Sequence, residues 1–193
     1  RALHIPRTPH AAINMLRDAV TSRISIGRIN DRYFVNIVAA GLLPEAMSRV
    51  SIKDKTRLGS LAYFLKALQV LQKQKSYDFR IEMEDGTVIR SASPLLAGML
   101  TDSAGSFRNI LPPTAAGAEN YLRLALFRDF SFVDLLAQAP GLIAGNPLSP
   151  DTVTVIDVKK ARITLSGGDN LSTNVDGEPG PDFPLDLEIL PGR

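Results

Sequence analysis

In Tyr77-Asp78-Phe79-Arg80-Ile81-Glu82-Met83-Glu84-Asp85-Gly86-Thr87 every second residue up to Met83 is apolar or aromatic, and the residues between are charged. A strand with one buried face produces that rhythm, because successive side chains leave an extended backbone on opposite faces; a helix would repeat at three and four. Asp85-Gly86 supplies a tight turn and Thr87 to Ser91 runs back outward, so the stretch predicts a β-hairpin.

Toward the N-terminus, Arg23 to Arg28 and Arg32 to Val38 flank Asn30-Asp31, whose residue types suit a second two-residue hairpin. Thr8-Pro9 opens an amphipathic run carrying Ala12, Ile13, Leu16, Ala19 and Val20, which predicts a helix from Pro9 to Val20. Leu61, Phe64, Leu65, Leu68 and Leu71 fall at helical spacing and predict a helix from Leu61 to Gln74. Toward the C-terminus, strands are expected at Leu95 to Leu100, Tyr121 to Phe127, Val153 to Val158, Ala161 to Leu165, Leu171 to Val175 and Leu185 to Leu190, with a short helix at Phe132 to Gln138. Many short strands punctuated by Gly, Pro, Asn and Asp, with few helices, predict a β-rich α+β domain, sandwich-like with peripheral helices, and argue against a doubly wound parallel sheet.

The 193 residues suit one main domain, and 45% hydrophobic with 22% charged residues is the composition of an ordinary globular protein. The absence of Cys excludes disulfides, thiol nucleophiles and Cys-ligated zinc, and favours a reducing compartment. No window approaches the apolar run of a membrane span. With 22 basic against 20 acidic residues the overall field will not collect nucleic acid, so no nucleic-acid partner is expected.

Several motifs invite chemistry. Ser166-Gly167-Gly168-Asp169-Asn170 could point N–H groups at a phosphate, but it lies between β-type runs with no helix behind it, and is read as a hairpin turn. His4 and His10 lack partners for zinc, and no Gly-x-Ser-x-Gly string marks a hydrolase. Lys53, Lys55 and Arg57, with Arg49, Lys66, Lys73 and Lys75 nearby, could attract anionic lipid or phosphate; taken alone they read as a solvated surface. Asp176-Gly177-Glu178 places two carboxylates either side of a glycine that could turn both toward one point, where a carboxylate can take a proton from an attacking hydroxyl. As an isolated tripeptide it is equally a turn.

The order of several segments carries more. Tyr33-Phe34-Val35-Asn36-Ile37 ending at Gly41, Lys53 to Gly59 leading into Leu61-Ala62-Tyr63, Leu100-Thr101-Asp102-Ser103 with Ile110-Leu111-Pro112, and Asn174-Val175-Asp176-Gly177-Glu178 together resemble the C-terminal domain of bacterial diacylglycerol kinase and the related YegS-type lipid kinases. The resemblance covers nearly the whole chain. Arg1 to Pro6 is similar to the stretch just after that family's Gly-Thr-x-Asn-Asp segment, and the family's Gly-Gly-Asp-Gly-Thr nucleotide motif is absent. The resemblance therefore implies that residues 1–21 connect to a nucleotide-binding domain outside this sequence, that residues 22–193 form the β-sandwich domain, and that the chain alone is inactive.

It further implies Glu178 as proton acceptor for a lipid hydroxyl, with Asp176 beside it as a water or proton partner, and Lys53, Thr56 and Leu58 as a magnesium-holding loop. Thr56 stands where related enzymes often have Asp, and its hydroxyl is a poorer ligand for a hard cation than a carboxylate. Asn120 stands where the family has Gly before a strand, a position Asn tolerates in the left-handed conformation. The implied activity is ATP- and Mg2+-dependent phosphorylation of diacylglycerol or a similar lipid, in the cytoplasm at the membrane periphery. The implied partners are the lipid and the nucleotide-binding domain, with a homodimer left open. The rival expectation is a non-catalytic lipid-binding or scaffolding β-sandwich.

Overall fold

The computed structural model describes residues 5–6, 8–17, 21, 23–41, 75–100, 111–113, 120–128, 132–167 and 171–192. They form α1 (Pro9–Leu16), β1 (Ile26–Ile29), β2 (Arg32–Phe34), β3 (Ile37–Gly41), β4 (Tyr77–Met83), β5 (Val88–Ser93), β6 (Leu95–Leu100), β7 (Leu122–Phe127), α2 (Phe132–Ile143), β8 (Val153–Val158), β9 (Lys160–Leu165), β10 (Thr173–Val175), β11 (Glu178–Pro179) and β12 (Leu185–Leu190). Two six-stranded sheets run in the orders β2-β1-β12-β9-β4-β5 and β11-β10-β3-β6-β7-β8, with antiparallel neighbours throughout. This is the sandwich that the strand pattern predicts.

The alternation in the quoted stretch sets the first sheet. Phe79 and Ile81 on β4, Ile163 on β9, Leu185 and Leu187 on β12 and Ile29 on β1 are buried against the inner residues Val38, Leu96, Leu100, Leu122, Leu124 and Leu126 of the second sheet. Their charged alternates cover the outer face, as the cross-strand pairs Arg28 with Glu188 and Arg162 with Asp186 at 3.1 Å, and as a pair within β4, Arg80 with Glu82 at 2.6 Å. The second sheet differs. β6 and β7 are buried at every position, because a further apolar layer packs Leu111, Leu142 of α2 and Leu148 against Ala39, Leu95, Ala97, Met99, Ala125, Phe127 and Val153 on its outer face. Burial on both faces is why Leu95 to Leu100 and Leu122 to Phe127 read as continuous apolar runs without alternation.

Both predicted hairpins form. Asn30 takes the left-handed conformation with φ 49°, and Asp85 accepts the N–H of Thr87 at 2.8 Å across the β4–β5 turn. Gly27 lies opposite Phe34 in the β1–β2 ladder, where the aromatic ring occupies the space a Cβ would need.

Four readings change. Arg32 to Val38 is not one strand: it breaks at Val35-Asn36, where the chain passes from the first sheet to the second. Ser166-Gly167 begins a crossing from β9 in the first sheet to β10 in the second and is no hairpin turn; residues 168–170 lie outside the described residues. The helix from Phe132 does not stop at Gln138 but continues past Pro140 to Ile143, and so brings Leu142 onto the outer layer. The first helix ends at Leu16 with Arg17 as its cap, buries no residue, and the expected continuation over residues 18–20 lies outside the described residues, as does the helix expected at Leu61 to Gln74.

The sheets are joined by repeated crossings. At Pro94, which has no N–H to extend a ladder, the fully buried Ser93 hydroxyl lies 2.6 Å from the Leu95 carbonyl oxygen and 2.7 Å from that of Phe127, with one proton to donate between them, as the chain passes from β5 to β6. Lys159 makes the passage from β8 to β9.

Candidate functional site

Asp176 and Gly177 form the two-residue turn between β10 and β11, with Asn174 opposite Pro179 and Val175 opposite Glu178. Both turn residues have positive φ, 51° and 103°, the conformation for which Asp-Gly is the favoured pair in a tight hairpin. Asn174 Oδ1 accepts the N–H of Gly177 at 2.9 Å and steadies the turn from within. Val175 is buried in the main core and pairs with Val38 of β3, so the hairpin is rooted in the second sheet while its tip is exposed.

The Asp176 carboxylate, itself exposed, is aimed at the backbone of the β2–β3 crossing. Its Oδ2 accepts the N–H of Val35 at 2.7 Å, and its Oδ1 accepts those of Asn36 at 2.9 Å and Ile37 at 2.8 Å. The Asp176 N–H donates to the Ile37 carbonyl at 2.9 Å, closing the join in the other direction. On the far side of the hairpin the Arg32 guanidinium donates to the Pro179 carbonyl. Gly180 then donates to the Thr173 carbonyl at 2.9 Å, with its own Cα against Thr173, leaving no room for a side chain there.

Glu178 is exposed, and its side chain makes no hydrogen bond or ion pair with any described residue. The structure thus brings the two acids onto one exposed hairpin and gives their carboxylates different partners: Asp176 is held by three backbone donors, whereas the Glu178 carboxylate has none among the described residues. An exposed carboxylate on a fixed backbone can accept a proton from a hydroxyl presented to it. The Val35–Ile37 donors and Arg32 were not legible as site residues, because they lie about 140 positions from the hairpin they fasten.

Lys53, Thr56 and Leu58, expected to hold magnesium, lie outside the described residues. Among the described residues no group of three or more His, Cys, Asp or Glu side chains is placed to hold a metal ion. Asn120 takes the left-handed conformation with φ 69°, and its Oδ1 accepts the Ser25 hydroxyl at 2.6 Å. A depression of about 760 Å3 opens elsewhere, over the outer face of the first sheet, and none of residues 174–178 lines it. There the Arg28 pKa is raised, first by its hydrogen bond to Glu188 and then by that carboxylate's charge. No helix among the described residues is long and apolar enough to cross a membrane.

Residues 36–193, which contain the hairpin, match the family model described as the YegS C-terminal NAD kinase beta sandwich-like domain. A diacylglycerol kinase of Staphylococcus epidermidis is 30% identical over 191 residues, covering 97% of this chain and 58% of the relative. A diacylglycerol kinase of Staphylococcus aureus is 29% identical over 187 residues with the same coverage, 97% and 58%. Among solved structures, that of a candidate diacylglycerol kinase from Bacillus anthracis str. Sterne superposes with a TM-score of 0.72 over 100% of this chain and 62% of its own; at 17% identity the likeness is one of fold. The chain spans about three-fifths of the length of these relatives.

Proposed function

This chain belongs to the YegS C-terminal NAD kinase beta sandwich-like domain family, and from that premise we propose that it is the lipid-facing domain of a kinase that transfers the γ-phosphoryl group of ATP to the hydroxyl of diacylglycerol or a similar lipid. The observation that carries this reading is the exposed Glu178 carboxylate on a hairpin fastened to both sheets, within the matched region of a chain whose relatives bear the name diacylglycerol kinase. Glu178 takes the proton of the lipid hydroxyl as it attacks. Phosphoryl transfer asks chiefly for a positioned nucleophile and neutralised charge, and a single well-placed carboxylate meets the first demand.

ATP is held mainly by a nucleotide-binding domain outside this sequence, so the chain alone does not complete the reaction. Magnesium, when bound, would neutralise phosphate charge; Lys53, Thr56 and Leu58 are the residues proposed to hold it. The protein works in the cytoplasm at the membrane periphery, where its lipid resides.

The test uses the protein in which this domain is joined to its nucleotide-binding half, assayed for ATP-dependent phosphorylation of diacylglycerol in mixed micelles. Glu178→Gln is expected to lower kcat about 10²- to 10⁴-fold, the usual contribution of a general base. Undiminished activity would sink the assignment and leave a non-catalytic lipid-binding sandwich in its place. A panel of lipid alcohols in the same assay identifies the acceptor.

A further inference from the structure

We propose that Asp176 is a positioning residue and carries no proton: by gathering the backbone N–H groups of Val35, Asn36 and Ile37 its carboxylate fixes where Glu178 stands. The inference rests on the reading of Glu178 as proton acceptor and assigns its neighbour the opposite kind of task.

The argument is one of lone pairs. An ionised carboxylate offers about four acceptor sites, two on each oxygen. Oδ1 is filled by Asn36 at 2.9 Å and Ile37 at 2.8 Å, and Oδ2 accepts Val35 at 2.7 Å. Three successive N–H groups converging on one anion form a concave nest, and each such charge-assisted bond is stronger than a neutral one. A proton arriving on either oxygen would weaken the acceptor that holds this crossing. Catalysis by proton shuttling through Asp176 would therefore loosen the backbone on every turnover.

What the clasp accomplishes is geometric. The β2–β3 crossing is where the chain leaves one sheet for the other; Asp176, before Glu178, is bonded to that crossing, and Arg32 at the start of β2 bonds Pro179, after it. Glu178 is thus held between two anchors, and its backbone cannot shift without breaking one of them. Displacement of a reacting group by about 1 Å can cost about a hundredfold in rate.

Asp176→Asn separates the two roles. Asn keeps one carbonyl oxygen for the Asn36 and Ile37 donors and suits the positive φ of 51°, but it cannot carry a proton as a carboxylate can. In the full-length kinase, Asp176→Asn is expected to lower kcat by about tenfold, the low end of what one lost bond to a charged group is worth. The acidic limb of its kcat/KM pH profile should be unchanged. Asp176→Ala, which removes the whole clasp, is expected to lower kcat about a hundredfold with the KM for ATP unmoved. Amide hydrogen exchange of the 35–37 segment should accelerate in Asp176→Ala, stay largely protected in Asp176→Asn, and not change in Glu178→Gln.

Equal loss of kcat in the Asn and Ala variants, with the acidic limb of the profile gone, would make Asp176 a proton carrier and overturn the proposal. Unaltered exchange of residues 35–37 in Asp176→Ala would overturn it independently, on the clasp itself. Full activity in Glu178→Gln instead overturns the assignment of Glu178, and the exchange measurement then still decides whether Asp176 holds the crossing.

Discussion

The Arg123 guanidinium lies against the Asp157 carboxylate in a bidentate pair between adjacent strands, with Nε to Oδ1 at 2.9 Å and Nη2 to Oδ2 at 3.1 Å. The arginine side chain is only 7% exposed, and its Nη1 reaches the Pro112 carbonyl at 2.6 Å, pinning the segment that inserts Leu111 into the outer layer. Removing the acid strands a buried cation. Asp157→Ala is expected to cost about 3 kcal/mol in urea unfolding, while Arg123→Met with Asp157→Leu together recovers most of that loss, because burying a matched apolar pair carries no desolvation penalty. A double variant no better than the single one would show that the pair itself, and not the stranded charge, governs stability.

Gly27 and Phe34 form a coupled pair of a different kind. A Cβ built on Gly27 falls 2.1 Å from Phe34 Cζ, and the ring is 1% exposed and cannot swing out. Gly27→Ala should destabilise the domain by about 1 to 3 kcal/mol, the usual cost of overpacking. Trimming the ring in a Gly27→Ala, Phe34→Leu double variant should return part of it, and thermal denaturation of the four forms gives the coupling energy. Additive losses would contradict the contact.

Acid sensitivity is expected at the β4–β5 turn. The Asp85 carboxyl is held below its ordinary pKa, first by the Thr87 backbone N–H and then by the Thr87 side chain. A depressed carboxylate contributes stability above its unfolded pKa and loses it as pH falls through the folded value, so the contribution is present at neutral pH and fades below about pH 4. Since the group is exposed, the effect is confined to the turn. Asp85→Asn should flatten this part of the profile, measured as amide exchange of the Thr87 N–H from pH 6 down to pH 2. An acid-dependent loss of protection that persists in the variant would place its origin elsewhere.

Much of the fold could be read because burial leaves a local trace. Leu95 to Leu100, Val153 to Val158 and Leu185 to Leu190 form strands with the expected bounds, since each run of apolar or alternating residues has only one way to bury itself. What local pattern does not carry is the sheet a strand joins. Ser93-Pro94-Leu95 and Val158-Lys159-Lys160 look like interruptions within a strand, yet each is a passage between sheets, fixed by neighbours such as Phe127 far along the chain. The helix from Phe132 differs in the opposite sense: a proline is disfavoured inside a helix, but here the helix runs through Pro140 and buries Leu142. The hairpin at Asp176-Gly177 was legible as a turn with two acids, whereas the partners of Asp176 were not, because nothing around Val35 to Ile37 marks those amides as waiting for a carboxylate.

One pairing in the first sheet bears on how the protein is made. β12 lies between β1 and β9, which do not pair with each other. Until Leu185–Leu190 has left the ribosome, the sheet exists as two separate pieces, β2-β1 and β9-β4-β5, each with an unpaired edge and with Ile29 and Ile163 lacking their final cover. Exposed edges and apolar faces of that kind invite association with other chains. A chain without Leu185–Leu190 therefore presents unpaired edges on both pieces, and the docking of β12 is the step that covers them.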